Sequence, residues 1–143
     1  MSPSKRLRPV QRVAASKEQQ AARHMGQSQK RLQAEEIKLN QLRQYHQEYL
    51  EQFETAAKRG ITASQLQEYR AFLAKLGEAI RQQENVVAAS KSNHATQRQA
   101  WRQKHTRTEA LNKAVSRYRQ QEKSAEERNE QKESDERNQR SVE

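Results

Sequence analysis

Two series of mostly apolar residues recur every seven positions, one on each side of a single turn signal, and few folds are open to a chain patterned this way. Met25, Leu32, Leu39, His46 and Phe53 form the first series, with Leu42, Tyr49 and Ala56 at the companion positions three residues on. Leu66, Leu73, Ile80, Val87, His94, Trp101, Thr108 and Val115 form the second, accompanied by Tyr69, Leu76, Leu111 and Tyr118. A helix that carries one narrow stripe of this kind buries it only against another helix or against a partner. The expected product is a rod of paired helices, with almost no interior in which to build a catalytic pocket.

Composition agrees. Of the 143 residues, 31% are hydrophobic and 32% charged, too lean an apolar content for a compact core. Such a balance also suits a disordered chain. A hydrophobic phase sustained over this many repeats argues against disorder for most of the length, and the Ala, Glu, Lys, Arg, Leu and Gln content is that of long coiled coils. Cysteine is absent, which excludes disulfides and thiolate-bound metal and fits a reducing compartment. No apolar run approaches the ~20 residues of a membrane span. The basic stretch Met1–Val13 lacks the apolar segment of a secretory signal. The reading is a soluble intracellular protein.

The turn lies at Lys58-Arg59-Gly60-Ile61-Thr62. Gly60 suits the left-handed position that ends a helix, and the two cations before it favour the negative end of the helix dipole. Thr62 and Gln65 have the spacing of a capping box, and Ile61 and Leu66 stand at the staple positions. The sequence thus predicts an all-α fold, a long antiparallel two-helix coiled coil over residues 1–118, with arms of about 4–59 and 62–118 and the turn at 60–61. In such a hairpin, facing residues have numbers that add to about 122. Phe53 then meets Tyr69, Tyr49 meets Leu73, Leu42 meets Ile80, Ala21 meets Trp101 and Leu7 reaches Val115. Each arm would be roughly 80 Å long.

Towards the open end the seam weakens to Ser28, Glu35, Gln83, Ser90, His94, Gln97, Lys104 and Thr108, and Gly26 interrupts the first arm. That end is expected to fray more easily. Residues 119–143 hold no apolar residue besides Ala125 and Val142. They read as a polar mixed-charge tail, a frayed helical extension or a disordered segment.

The net charge of +10 is segregated. Residues 1–43 hold ten Lys/Arg against three Glu, and residues 85–118 hold seven against one. Residues 44–84 balance at −1 and residues 119–143 at −2. A basic open end suits an acidic protein cavity or, less well, nucleic acid. No dense basic helix beyond a dimer seam and no stacking platform supports the second option. A solvated surface that only confers solubility is the plain alternative.

Tyr45 and Phe72 each precede a seam position by one residue, which places both on the same flank of an antiparallel pair. With Leu42, Tyr49, Leu76 and Ala79 they form a strip that is either oversized core or a docking site. Catalytic readings fail. There is no GxxxxGK, GxGxxG, HExxH or GxSxG element. His24, His46, His94 and His105 are too scattered for a metal site. Glu35-Glu36 and Glu126-Glu127 read as ordinary helix-surface carboxylates. Neither an enzyme nor a cofactor or metal is expected.

A basic chain of this length that opens Met1-Ser2-Pro3-Ser4-Lys5-Arg6-Leu7 resembles the FliJ family of flagellar export proteins. So do its two heptad arms around a turn near residue 60, its strip Leu42, Tyr45, Tyr49, Phe72, Leu76, Ala79 and its segment Tyr69-Arg70-Ala71-Phe72-Leu73. The mixed-charge tail after Tyr118 departs from the family pattern. The resemblance implies a helical hairpin like the central stalk of rotary ATPases, cytoplasmic and peripheral to the inner membrane at the flagellar base, and monomeric when free. It implies insertion of the paired terminal ends into the hexameric export ATPase, with promotion of ring assembly. It further implies coupling to the membrane export gate, with export chaperones as further partners and no nucleic acid. Carried onto this chain, Lys5, Arg6, Arg8, Arg12, Arg102, Lys104, Arg107 and Lys113 are the candidate ring contacts, and the strip is the candidate gate contact. The equivalent stalk protein of a virulence secretion system and a basic nucleic-acid-associated coiled coil are the alternatives.

Overall fold

The computed structural model describes residues 1–142, which form two α-helices, α1 (Pro3–Arg59) and α2 (Ala63–Val142). The two pack against each other in opposite directions. The chain divides into two compact units. The turn unit is Arg23–Gln99, and the terminal unit is Met1–Ala22 with the chain from Ala100 onward.

In the turn unit, local chemistry closes α1 and opens α2. Gly60 takes φ +93°, a left-handed conformation that disfavours any side chain, and its N–H donates to the Ala57 carbonyl at 3.2 Å. Thr62 N–H donates to Gln65 Oε1 (3.0 Å) and Gln65 N–H to Thr62 Oγ1 (3.1 Å), so the capping box forms as the spacing predicts. The apolar core is thin: Leu39, Leu76 and Val87 are buried, while Leu32, Phe53, Leu66 and Leu73 are half-buried.

Polar residues complete this seam. Ser28, Gln83 and Ser90 are buried. Gln83 Nε2 donates to the Glu35 carbonyl (3.0 Å) and to its carboxylate (2.5 Å). Glu35 is therefore half-buried and tied across the pair, a correction to its sequence reading as a surface carboxylate. Ser28 Oγ gives its proton to the Met25 carbonyl (2.7 Å), which leaves its oxygen to accept from His94 Nδ1 at 2.9 Å. Among the described residues no buried side-chain N or O lacks a partner. Hydrogen bonds thus hold the seam where hydrophobicity falls away.

Gly26 and Gly77 sit inside helices with nothing within 4 Å of where a Cβ would stand. Neither position gains packing from the missing side chain. Gly26→Ala and Gly77→Ala are each expected to stabilise the fold by about 0.5–1 kcal/mol, read as a raised thermal midpoint by circular dichroism.

In the terminal unit Val115 is 2% exposed, with Ala14, Ser4 and Thr108 also buried. Gln11 Nε2 donates to Asn112 Oδ1 (2.6 Å) across the pair. Pro9 lies inside α1, where it removes one N–H from the ladder and uncouples the turn before it. That turn has no acidic residue of its own. Glu122 of α2 supplies one: Ser4 N–H donates to its Oε1 (3.1 Å) and Ser4 Oγ to its Oε2 (2.7 Å). These bonds hold the Glu122 carboxyl below the usual carboxylate range, and they satisfy a donor that the helix start leaves open. Glu122→Gln is expected to free residues 3–8 alone, seen as faster amide exchange up to Pro9 and unchanged exchange beyond it.

α2 continues as helix through Val142, with every side chain from Lys123 to Val142 exposed. Pairs one turn apart line this stretch, Gln131 with Asp135 (3.3 Å) and Arg137 with Glu133 (3.9 Å).

Candidate docking surfaces

The turn unit gathers its aromatic residues. Phe53 packs on Tyr69 with ring centroids 5.3 Å apart, Tyr69 on Tyr49 at 5.3 Å, and Tyr49 on Phe72 at 4.5 Å. Phe72 then meets Tyr45 edge-on at 5.9 Å and 88°. Five rings therefore run without a break from the seam to the surface. Alternation between the helices produces the chain of contacts: the heptad phase of α1 brings Tyr45, Tyr49 and Phe53 to the pair, and that of α2 brings Tyr69 and Phe72 between them. Edge-on and tilted contacts of this kind contribute beyond buried area alone.

The strip read from the sequence is thus graded in exposure. Tyr45 is 49% exposed. Leu42, Tyr49, Phe72 and Ala79 are half-buried, and Leu76 is buried in the seam. Tyr45 is thus the exposed end of the strip and Leu76 its buried member. Val86, on the same flank of α2, adds a further exposed apolar side chain at 38%.

The basic residues lie in the terminal unit. Lys5, Arg6, Arg8 and Arg12 on α1 and Arg102, Arg107 and Lys113 on α2 are exposed, and Lys104, at a seam position, is half-buried. Residues 1–22 and 100–118 together carry ten Lys/Arg and two Glu. None of those ten cations is in an ion pair among the described residues. The reason is local. The two acids, Glu18 and Glu109, both turn to His105, at 2.6 Å from Nδ1 and 3.1 Å from Nε2. Residues 1–22 and 100–118 therefore keep a balance of +8, which residues 119–143 reduce to +6 over the whole unit.

Sequence periodicity did not reveal the His105 cluster, because its members are 87 positions apart along the chain. The signal available was their register: Glu18 and His105 have numbers that add to nearly the same total as Phe53 and Tyr69.

Among the described residues no group of three or more His, Asp or Glu is placed to hold a metal, and no helix is long and apolar enough to cross a membrane. The open grooves are shallow. One of about 710 Å³ lies by the turn between Glu48, Glu51, Arg59 and Tyr69. The family model described as flagellar FliJ protein matches residues 3–143, essentially the whole chain. No curated protein and no solved structure matches it.

Proposed function

This chain belongs to the flagellar FliJ protein family, and on that premise we propose that it is the stalk that joins the export ATPase to the membrane export gate. The terminal unit enters the central opening of the hexameric ring and favours ring assembly. The aromatic strip of the turn unit binds the gate. The chain has no reaction of its own. It works by binding, with export chaperones as further partners, at the cytoplasmic face of the flagellar base.

The observation that carries this reading is the basic surface of residues 1–22 and 100–118, whose Lys and Arg side chains make no ion pair among the described residues. In residues 1–22 and 100–118 ten cations, nine of them exposed, stand beside two carboxylates that are both engaged by one histidine, and Glu122 of the following stretch lies against Ser4. Such a surface attracts an acidic partner at long range and holds it by many weak contacts. It has the sign that an acidic pore requires. The thin seam supports the same reading, because two helices held by few apolar residues adapt to a ring more readily than a dense core does.

The test is binding of the purified chain to the export ATPase of the same organism, followed as ionic strength is raised. Binding is expected at low salt and is expected to weaken steeply as the Debye length shrinks from ~30 Å towards ~8 Å. A ring that ignores the chain at low salt, or that holds it equally at every salt concentration, would remove this reading.

A further inference from the structure

We propose that His105 is a proton-operated latch on the terminal unit: its imidazolium spans Glu18 of α1 and Glu109 of α2, fastening the helices, and loss of its proton releases α1. The case begins with donor counting. Nδ1 lies 2.6 Å from Glu18 Oε1 and Nε2 lies 3.1 Å from Glu109 Oε1. Ionised carboxylates only accept hydrogen bonds, and a neutral imidazole carries one N–H. The Nδ1 contact is a hydrogen bond and the Nε2 contact an ion pair, and both are favourable together only when the ring is doubly protonated. In the neutral ring one nitrogen turns a lone pair towards a carboxylate oxygen.

A second observation favours the same state independently. The Trp101 indole lies parallel to the His105 ring, with centroids 4.9 Å apart and planes 14° from parallel. An aromatic face at this distance stabilises a cation over it.

The charged groups that act on the ring are Glu18 from the facing helix and Glu109 from its own; Trp101 and Thr108, the neighbouring side chains, are neutral. The hydrogen bond to Glu18 raises the affinity of His105 for its proton, burial opposes it, and Glu109 adds to it. The same bond lowers the carboxyl of Glu18, with Thr108 contributing.

The location makes the latch matter. Seam positions here are Ala14, Glu18 and Ala21 on α1, opposite Trp101, Lys104 and Thr108 on α2. Small and polar residues leave little apolar area to hold the helices, so the contact from His105 across to Glu18, backed by Glu109 on its own helix, carries a larger share. The direction with pH follows. His105 gains affinity for its proton on folding, so its contribution is complete below 6.5 and is lost as pH rises through the higher folded value. Glu18 loses affinity, so its contribution holds above 4.5 and is lost as pH falls. The latch is fully closed between those two values and opens on the alkaline side, baring two carboxylates among the cations.

The test uses the full chain and three readings from about pH 5 to 9, the range that brackets histidine titration. The readings are the NMR titration of the His105 ring, the emission of Trp101 (the single tryptophan), and amide exchange over residues 14–22. The ring is expected to titrate above 6.5, the emission to change with the same midpoint, and exchange to accelerate as the proton leaves. Glu18→Gln is expected to bring the midpoint down towards 6.5. His105→Gln is expected to abolish the pH step in exchange over residues 14–22 and to leave exchange beside the turn unaltered. A midpoint that Glu18→Gln does not move overturns the latch. So does an unchanged pH step in His105→Gln, since His24, His46 or His94 would then be its source. Should His105→Gln fail to fold, the wild-type ring titration and its shift in Glu18→Gln decide the matter alone.

Discussion

Truncation of Tyr45 and Phe72 together to alanine is expected to abolish binding to the export gate and swimming, while the chain stays helical and still binds the ATPase. Exposure separates the two roles. Tyr45 is 49% exposed and touches one ring edge-on, so its loss is expected to cost about 1 kcal/mol. Phe72 is half-buried and touches two rings, so its loss is expected to cost about 2 kcal/mol. Leu76, 7% exposed, is the contrast: Leu76→Ala removes a core side chain and is expected to cost ~2–5 kcal/mol. In a protein with so thin a core, that loss approaches global unfolding. Circular dichroism, ATPase binding, gate binding and a swimming assay read the four properties separately. Gate binding retained by the folded double variant would show that the five rings serve packing only. A thermal midpoint as low as that of Leu76→Ala would show that Tyr45 and Phe72 are core, with no docking edge.

The parts of this fold that the sequence announces are those whose causes lie close together along the chain. The turn is set by residues within one helical turn of Gly60, and its capping box forms as spaced. The helical pairing follows from a seven-residue phase, and the register follows from the turn, so Phe53 meets Tyr69 as expected. What stayed hidden depends on partners that only the fold brings near. Glu122 falls on the same phase as Val115, seven residues on, but its charge sets it apart from the hydrophobic stripe. In the structure its carboxylate starts α1 at Ser4, 118 positions away. α1 runs through Pro9, as the arm of about 4–59 expects, and Ser4 before it is tied from across the pair. The candidate strip was legible as a set, but its gradient was not. Heptad position alone does not say that Leu76 is covered and Tyr45 is open, since both depend on how far each ring reaches over its neighbour.

Reversal of four terminal cations, Arg6→Glu, Arg8→Glu, Arg12→Glu and Arg102→Glu, is expected to weaken binding to the ATPase ring by on the order of 100-fold or more at low salt. All four are exposed and lie in the terminal unit. Residues 1–22 and 100–118 hold ten Lys/Arg and two Glu, a balance of +8, and each reversal removes two charges, so the four together bring it to zero. Stability is expected to move little. None of the four is in an ion pair among the described residues, and surface substitutions away from such contacts stay within about 0.5 kcal/mol. Two of the new carboxylates also lie near the positive end of the α1 dipole, where they favour the helix. A matched control separates place from sum. Lys30→Glu, Lys38→Glu, Arg70→Glu and Lys75→Glu change the net charge equally, at exposed positions of the turn unit. Compared at ~0.1 M salt, where the Debye length is ~10 Å, they are expected to slow association only modestly, because charges farther than that from the contact are screened. Equal weakening by both sets would mean that the ring senses net charge alone and that the terminal unit is not the inserted part. Unimpaired binding by the terminal set would remove the basic surface from the mechanism, and the aromatic strip would then remain as the candidate contact.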